Sequence, residues 1–240
     1  KKNNKIGRII FFHPKGNSLS SLLLHQMENC FLEAEKDSDV RVIVLESIGN
    51  AFCGGAYLSE LKKIRTLEKS TEFFMCFADL LNTMRKMSKF ILARVQGKTV
   101  GGGVGILAAC DYVIGTKESL LKLSELSIGL GPYIIEPVVK RKIGSAAFSQ
   151  LSIESNKWKS AQWGLNKGIH SVIVDDLVEL NQSITENANM LASYSMEALK
   201  KLRYMHWKDT KEWETILPEN AKITAELALS KFTQKIINSY

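Results

Sequence analysis

The sequence contains no apolar run of the roughly 18 residues that a membrane-spanning helix requires, so a soluble chain with no membrane partner is expected. Its first residues, Lys1-Lys2-Asn3-Asn4-Lys5, lack the apolar segment of a secretory signal. Cysteine is scarce: Cys30, Cys53, Cys76 and Cys110 lie far apart, with no short paired spacing that would suggest zinc. That usage points to a reduced, cytoplasmic protein without a bound metal. No interior linker is rich in proline, serine or glycine, and no repeat occurs at solenoid period. The 240 residues therefore suit one large domain, or a domain with a helical appendage. What is present is ordinary globular material, 45% apolar and 24% charged, enough for a sizeable core and unlike a collagen, a coiled coil or a disordered chain. A net charge of +7 suits an anionic partner without choosing between nucleic acid and a small polyphosphate. The densest basic cluster, Lys140-Arg141-Lys142, falls within a helical pattern and reads as a solvated face.

Ile9 to Phe12 reads as a strand closed by His13-Pro14-Lys15-Gly16-Asn17. Ser18 can then cap a helix whose apolar positions Leu22, Leu23, Met27, Cys30, Phe31 and Ala34 recur at helical spacing. A strand at Val40 to Leu45 ends in a small-residue loop, Gly49 to Ala56, before a short helix from Tyr57. An amphipathic helix is predicted from Thr71 to Met87, with Phe73, Phe74, Phe77, Leu80, Leu81 and Met84 inward. The pattern repeats as strand Phe90 to Val95, glycine loop Gly97 to Gly103, helix Val104 to Cys110 and strand Asp111 to Gly115. Two successive strand, glycine-turn, helix units predict an α/β fold with largely parallel strands. Leu120 to Leu126 reads as extended, Pro132 as a helix start, and Ile169 to Val174 as a further strand. Met196 to Tyr240 carries no strand signal, so its apolar positions Leu199, Leu202, Met205, Trp213 and Ile216 must pack on the body or on another subunit.

Eight of the sixteen glycines lie between Gly97 and Gly131. Glycine is costly in ordered structure, so a cluster marks unusual backbone dihedrals or a close approach. Gly101-Gly102-Gly103 follows a strand and opens a helix, which leaves unpaired amides at the positive end of the helix dipole. Such amides suit an oxyanion or a phosphate, although neither a G-x-x-x-x-G-K-[ST] loop nor a G-x-G-x-x-G turn is present. Close packing of helix and strand is the alternative. Gly54-Gly55-Ala56 sits at a second strand-to-helix turn, and two donors aimed at one point are what a carbonyl developing negative charge needs. Leu121, Leu123 and Glu125 share one face if the segment is extended. A carboxylate on such a face is either paired with a cation or held for proton transfer with a raised pKa. Glu136 lies near a helix N-terminus, where a carboxylate is favoured electrostatically.

The segments Val42 to Ala56, Gly97 to Asp111 and Glu125 to Pro132, in this order and spacing, resemble the crotonase (enoyl-CoA hydratase/isomerase) superfamily over roughly residues 5 to 190. The resemblance implies a crotonase-like spiral of ββα units: an acyl-CoA-binding core over 1–190, followed by a helical C-terminal oligomerisation region over 191–240. It implies an acyl-CoA thioester as partner, a homotrimer or hexamer, no nucleic acid, and no cofactor beyond the CoA of the substrate. Two backbone amides of that family hold the thioester oxygen, and they map onto Ala56 and Gly102, with Gly55, Tyr57 and Gly101 beside them. Glu125 matches one of the two glutamates common in the family's hydratases. The position of the other is Gly105. Syn addition of water is served well by two carboxylates, whereas one suffices to carry a proton along the chain, so the match favours isomerase-type transfer over hydration.

Other departures matter. Tyr57 stands where many members have Asp, and Gly129-Leu130-Gly131-Pro132-Tyr133-Ile134-Ile135-Glu136 lacks the glycine-rich continuation of ordinary hydratases. Tyr133 and Glu136 are accordingly candidates for the acyl pocket, which keeps a decarboxylase-type reaction open, and a non-catalytic acyl-CoA binder is the remaining alternative. For the CoA tail the candidates are Lys62, with Lys63 beside it, and the pair Phe232 and Lys235, which resembles the family's adenine-site motif. Ser18, His25 and Asp37 form no recognisable triad, His13 matches no catalytic position, and Cys53 reads as a packed thiol.

Overall fold

Strands rich in β-branched and large apolar residues, at Ile6–Phe11, Val42–Ser47 and Phe90–Val95, alternate with helices and short second strands to build the molecule. The structure is a computed structural model that describes residues 2–239. Lys1 and Tyr240, the outermost residues of the two predicted regions, lie outside the described residues. In chain order the elements are β1 (Lys2–Asn3), β2 (Ile6–Phe11), α1 (Ser21–Lys36), β3 (Val42–Ser47), α2 (Leu58–Leu61) and α3 (Leu67–Lys86). Next come β4 (Phe90–Val95), β5 (Thr99–Val100), α4 (Gly102–Ala109), β6 (Tyr112–Thr116) and β7 (Leu121–Lys122). A 3₁₀ turn at Glu125–Ile128 leads to α5 (Glu136–Ile153), α6 (Ala161–Lys167), β8 (Val172–Val174) and α7 (Leu177–Ser193). The chain ends in α8 (Met196–Trp207), α9 (Trp213–Ala228) and α10 (Lys231–Ser239).

One sheet runs in the order β1-β2-β3-β4-β6-β8, parallel throughout except for the antiparallel β1. A small second sheet pairs β5 with β7, also in parallel. Parallel strands need both faces covered, and the side-chain alternation does this. Ile43, Leu45, Ile91, Ala93 and Val113 face a large core with α1, α3, α4 and α9, while Val42, Val44, Phe90, Leu92 and Ile114 face a smaller one beneath α7. All six predicted inward residues of α3 are buried.

The C-terminal helices pack on the body. Trp213, Leu217, Ala221 and Ala225 of α9 join the main core, and Ser70 Oγ donates to the Ala225 carbonyl at 3.0 Å across the contact with α3. The buried Arg203 of α8 donates to Asp111 Oδ2 at 2.8 Å and to the carbonyls of Met84, Arg85 and Met87 at the end of α3. Leu202, Tyr204 and Met205 of α8 remain exposed. Among the described residues no helix is long and apolar enough to cross a membrane.

Several local expectations shift. Helix α1 is capped by Ser20, whose side chain accepts from the Leu23 amide, while Ser18 Oγ donates to the Lys15 carbonyl. Its buried face is Leu23, Leu24, Met27 and Phe31, so Leu22 and Cys30 point to solvent. Pro132 does not open a helix: α5 starts at Glu136, with Pro137 in the first turn and a bend at Gly144 (φ +78°). The basic cluster is not one solvated face. Lys142 Nζ donates to the Cys110 carbonyl at 2.8 Å, Arg141 lies 4.2 Å over the Trp207 ring, and Lys140 alone stands free of the body, paired with Glu136 at 3.0 Å.

Candidate active site

Two turns meet beside the small sheet. After β3 the chain returns through Cys53, which bridges to Thr99, and Ala56, which bridges to Leu19. Around that second bridge the Leu19 amide donates to the Gly55 carbonyl at 2.7 Å and the Tyr57 amide donates to the Leu19 carbonyl at 2.9 Å. Successive residues of extended chain point their groups to opposite sides, so the Ala56 amide between these bonds has no backbone acceptor among the described residues. Gly55 has φ +86°, and a β-carbon there would lie 3.3 Å from the Val100 carbonyl oxygen, so this tight crossing needs glycine.

The second turn is fastened to the first, because the Val100 amide donates to the Cys53 carbonyl at 2.9 Å. Gly101 (φ +55°, ψ −125°) donates to the Lys122 carbonyl at 2.9 Å and turns the chain into α4. Gly102 opens that helix, where the first amides have no partner within it. A β-carbon on Gly102 would overlap Phe77 Cε1 at 2.5 Å.

Glu125 corrects the sequence reading in detail. The segment is extended only over β7, and Glu125 starts the 3₁₀ turn that Gly129 (φ +82°) terminates, with the Leu130 amide donating to the Glu125 carbonyl at 3.0 Å. Its carboxylate abuts Gly101, where a β-carbon would lie 2.9 Å from Oε1. Oε2 is buried without a hydrogen-bond partner. None of the ion pairs of the described residues includes it, which removes the salt-bridge alternative. Burial pushes the carboxyl up to about 7.

A cavity of about 290 Å³ joins these groups. Gly54, Gly55 and Ala56 line it from the first turn, Gly101 and Gly102 from the second, and Glu125 from the third side. Leu58, Phe74, Phe77, Ile128, Leu130, Ile134 and Ile135 make an apolar wall, and Lys122, Ser124, Ser127, Asn156 and Thr224 supply polar groups. Glu125 is the single carboxylate among the described lining residues. Preformed, largely apolar clefts with a few convergent polar groups are the usual form of small-molecule sites.

The other predicted site residues lie outside this lining. The Tyr57 ring packs on His13 at 4.6 Å between centroids, and Lys62 ends α2. Tyr133 folds back over Gly131 and gives its carbonyl to Asn220 Nδ2 at 2.8 Å, while Glu136 pairs with Lys140. Neither of the two faces the cavity as expected. Phe232 is 64% exposed yet covers Gly129 with its ring, and Lys235 is exposed on the same helix. The thiol of Cys53 is packed as expected, and burial pushes it up to about 12. Thr224 and Asn156 escaped the sequence reading, since no local pattern links α9 or the loop after α5 to the glycine turns, and Ile135 enters it only as part of the stretch in which Tyr133 and Glu136 draw attention.

The fold and the site together match known proteins. The sequence profile of the family described as Enoyl-CoA hydratase/isomerase matches residues 1–237. A Bacillus subtilis (strain 168) protein named probable enoyl-CoA hydratase is 28% identical over 191 residues, 79% of this chain and 74% of that protein. The mouse ethylmalonyl-CoA decarboxylase is 28% identical over 133 residues, 55% of this chain and 41% of that enzyme. The crystal structure of enoyl-CoA hydratase from Bacillus halodurans superposes with a TM-score of 0.93, covering 100% of this chain and 98% of that one at 17% identity, which shows a shared fold. The chain belongs to the enoyl-CoA hydratase/isomerase family, the crotonase superfamily, whose named members here are enzymes.

Proposed function

We propose that this protein binds an acyl-CoA thioester and moves a proton along its acyl chain, with Glu125 as the carrier and the Ala56 and Gly102 amides holding the thioester oxygen. One observation supports the reading above the rest: a single carboxylate outside every ion pair shares a cavity with two turns in which the Ala56 and Gly102 amides have no protein acceptor among the described residues. In the reaction the Cα–H bond of a 3-enoyl thioester breaks, its proton goes to Glu125 and its electrons move toward the thioester oxygen. Each preorganised donor at that oxygen is worth about 3 kcal/mol. Glu125 then returns the proton at the γ carbon, which leaves the 2-enoyl thioester. A carboxyl raised to about 7 is close to evenly divided between its two forms at neutral pH, as a group that both takes and gives a proton should be.

The mouse relative's name supports a second reading, in which loss of carbon dioxide from a malonyl-type thioester forms the enolate and Glu125 protonates it. Purified protein in deuterium oxide, given separately a 3-enoyl-CoA, a 2-enoyl-CoA and an alkylmalonyl-CoA, distinguishes these reactions. The expected result is conversion of the 3-enoyl ester. Conversion of the malonyl ester alone selects the second reading. No conversion, with CoA esters still raising the melting temperature, leaves a thioester-binding protein.

The same reading includes a homotrimer or hexamer assembled through residues 191–240, which the exposed Leu202, Tyr204 and Met205 support. It also includes a reduced, cytoplasmic setting, with CoA supplied by the substrate, no other cofactor, and neither nucleic acid nor membrane as partner. Sedimentation of the full chain measures the assembly.

A further inference from the structure

Gly105 lies one turn along α4 from Gly102, and the side chain packed on it is Ile135. A β-carbon at position 105 would fall 2.3 Å from Ile135 Cγ2 and 2.7 Å from its Cβ, so no side chain fits while Ile135 holds its place. Ile135 is 3% exposed and sits immediately before α5, where its carbonyl accepts from the Val139 amide at 2.9 Å. It also lines the cavity that Glu125, Ala56 and Gly102 share. One aliphatic side chain thus touches both the glycine and the site, and a carboxylate at 105 would have to reach the cavity through its volume.

The two reactions open to an enoyl thioester differ in what they ask of that wall. Water addition breaks an O–H bond of water, joins the oxygen to Cβ and delivers a proton to Cα. It needs room for the water and a group to receive its proton. The proton shuttle brings in no atom of water. An ordered water needs two to four polar partners, and aliphatic carbon supplies none.

We infer that Ile135 sets the reaction specificity of this site, filling the space from which water and a second carboxylate would act and leaving proton transfer through Glu125. This rests on the proposed shuttle and adds the residue that confines the site to it. Phe77 and Ile134 also line the cavity and extend its apolar wall.

Two measurements test it. In deuterium oxide with a 3-enoyl-CoA, Ile135→Ala should raise the deuterium incorporated per turnover at least threefold over the parent protein, since water then reaches the carried proton. A structural loss alone lowers turnover without changing that ratio. With a 2-enoyl-CoA, the double variant Gly105→Glu/Ile135→Gly should gain hydration by about 10²-fold, the lower end of what an added general acid or base supplies. Gly105→Glu alone should gain none and melt lower. An unchanged deuterium ratio in Ile135→Ala overturns the inference, as does a double variant that folds, binds CoA esters and hydrates no faster than the parent. If the double variant does not fold, the deuterium ratio decides. A parent protein that isomerises nothing refutes the proposed shuttle instead, and the water-addition assay of the double variant then judges Ile135 by itself.

Discussion

The carboxylate of Glu125 lies against the backbone of Gly101, so close that a β-carbon on the glycine would stand 2.9 Å from Oε1. The residue that turns the chain into α4, and so presents the Gly102 amide, is also the floor on which the acid rests. Amide and acid are therefore positioned by one backbone kink.

Replacing Gly101 with alanine should disturb both at once. Its φ of +55° with ψ of −125° is a conformation that glycine alone adopts readily, and the added methyl would push on Glu125. The expected cost is about 1–3 kcal/mol of stability together with a loss of turnover larger than the loss of CoA-ester affinity. Equal losses of turnover and affinity would argue against this coupling.

Glu125→Gln keeps the shape and removes the proton carrier. Turnover of a 3-enoyl-CoA should fall by about 10²–10⁴-fold with binding largely kept. In the parent enzyme kcat/KM should rise with pH through about 7, where the free carboxyl ionises. Stability moves the other way. The folded state holds a proton that the unfolded carboxyl, titrating near 4.5, has released, so the burial penalty is absent below 4.5 and complete above about 7. Against Glu125→Gln, parent stability should accordingly drop by on the order of 2–3 kcal/mol across that window. Parallel stability curves would show that the carboxyl is not held up by burial.

His170 should produce the opposite slope at lower pH. Both ring nitrogens are buried without a partner, and burial pulls the imidazole down to about 4. Between 6.5 and about 4 the unfolded chain binds a proton that the folded chain refuses, so stability present above 6.5 is lost as pH falls through that range. Chemical denaturation of His170→Phe at pH 7 and pH 5 should show a smaller decrement than the parent protein. An equal decrement rejects the assignment.

Arg203 ties α8 to the sheet and to α3. It and Asp111 are nearly solvent-free, at 1% and 5% side-chain exposure, and Trp207 Nε1 donates to the same carboxylate at 2.8 Å. Arg203→Ala leaves the buried Asp111 carboxylate without its cation, held only by Trp207 Nε1 and the Ile91 amide, so about 3–5 kcal/mol should be lost in urea unfolding. A loss under 1 kcal/mol would place the anchorage of the C-terminal helices in α9 instead.

Much of this was legible in the residues themselves. Phe90 to Val95 has the bounds expected of it, α3 buries the expected six residues, and the glycine turns follow strands and precede helices as predicted. These are local consequences of period and of small residues. The errors have local causes too: Ser20 outcompeted Ser18 as a cap, and Pro137 lies in the first turn of α5 in place of Pro132. The extended reading of Glu125 failed because Gly129 closes a 3₁₀ turn that alternation does not reveal.

The sequence by itself determined an α/β chain of parallel strands, two glycine turns and one candidate acid, because side-chain period, glycine content and motif order are carried by neighbours along the chain. Only the tertiary structure decided that Glu125 is buried without a cation, that Tyr133 and Glu136 face elsewhere, and that Ile135 fills the space beside Gly105. Burial, pairing and vacancy depend on residues distant in sequence, and packing alone brings those together.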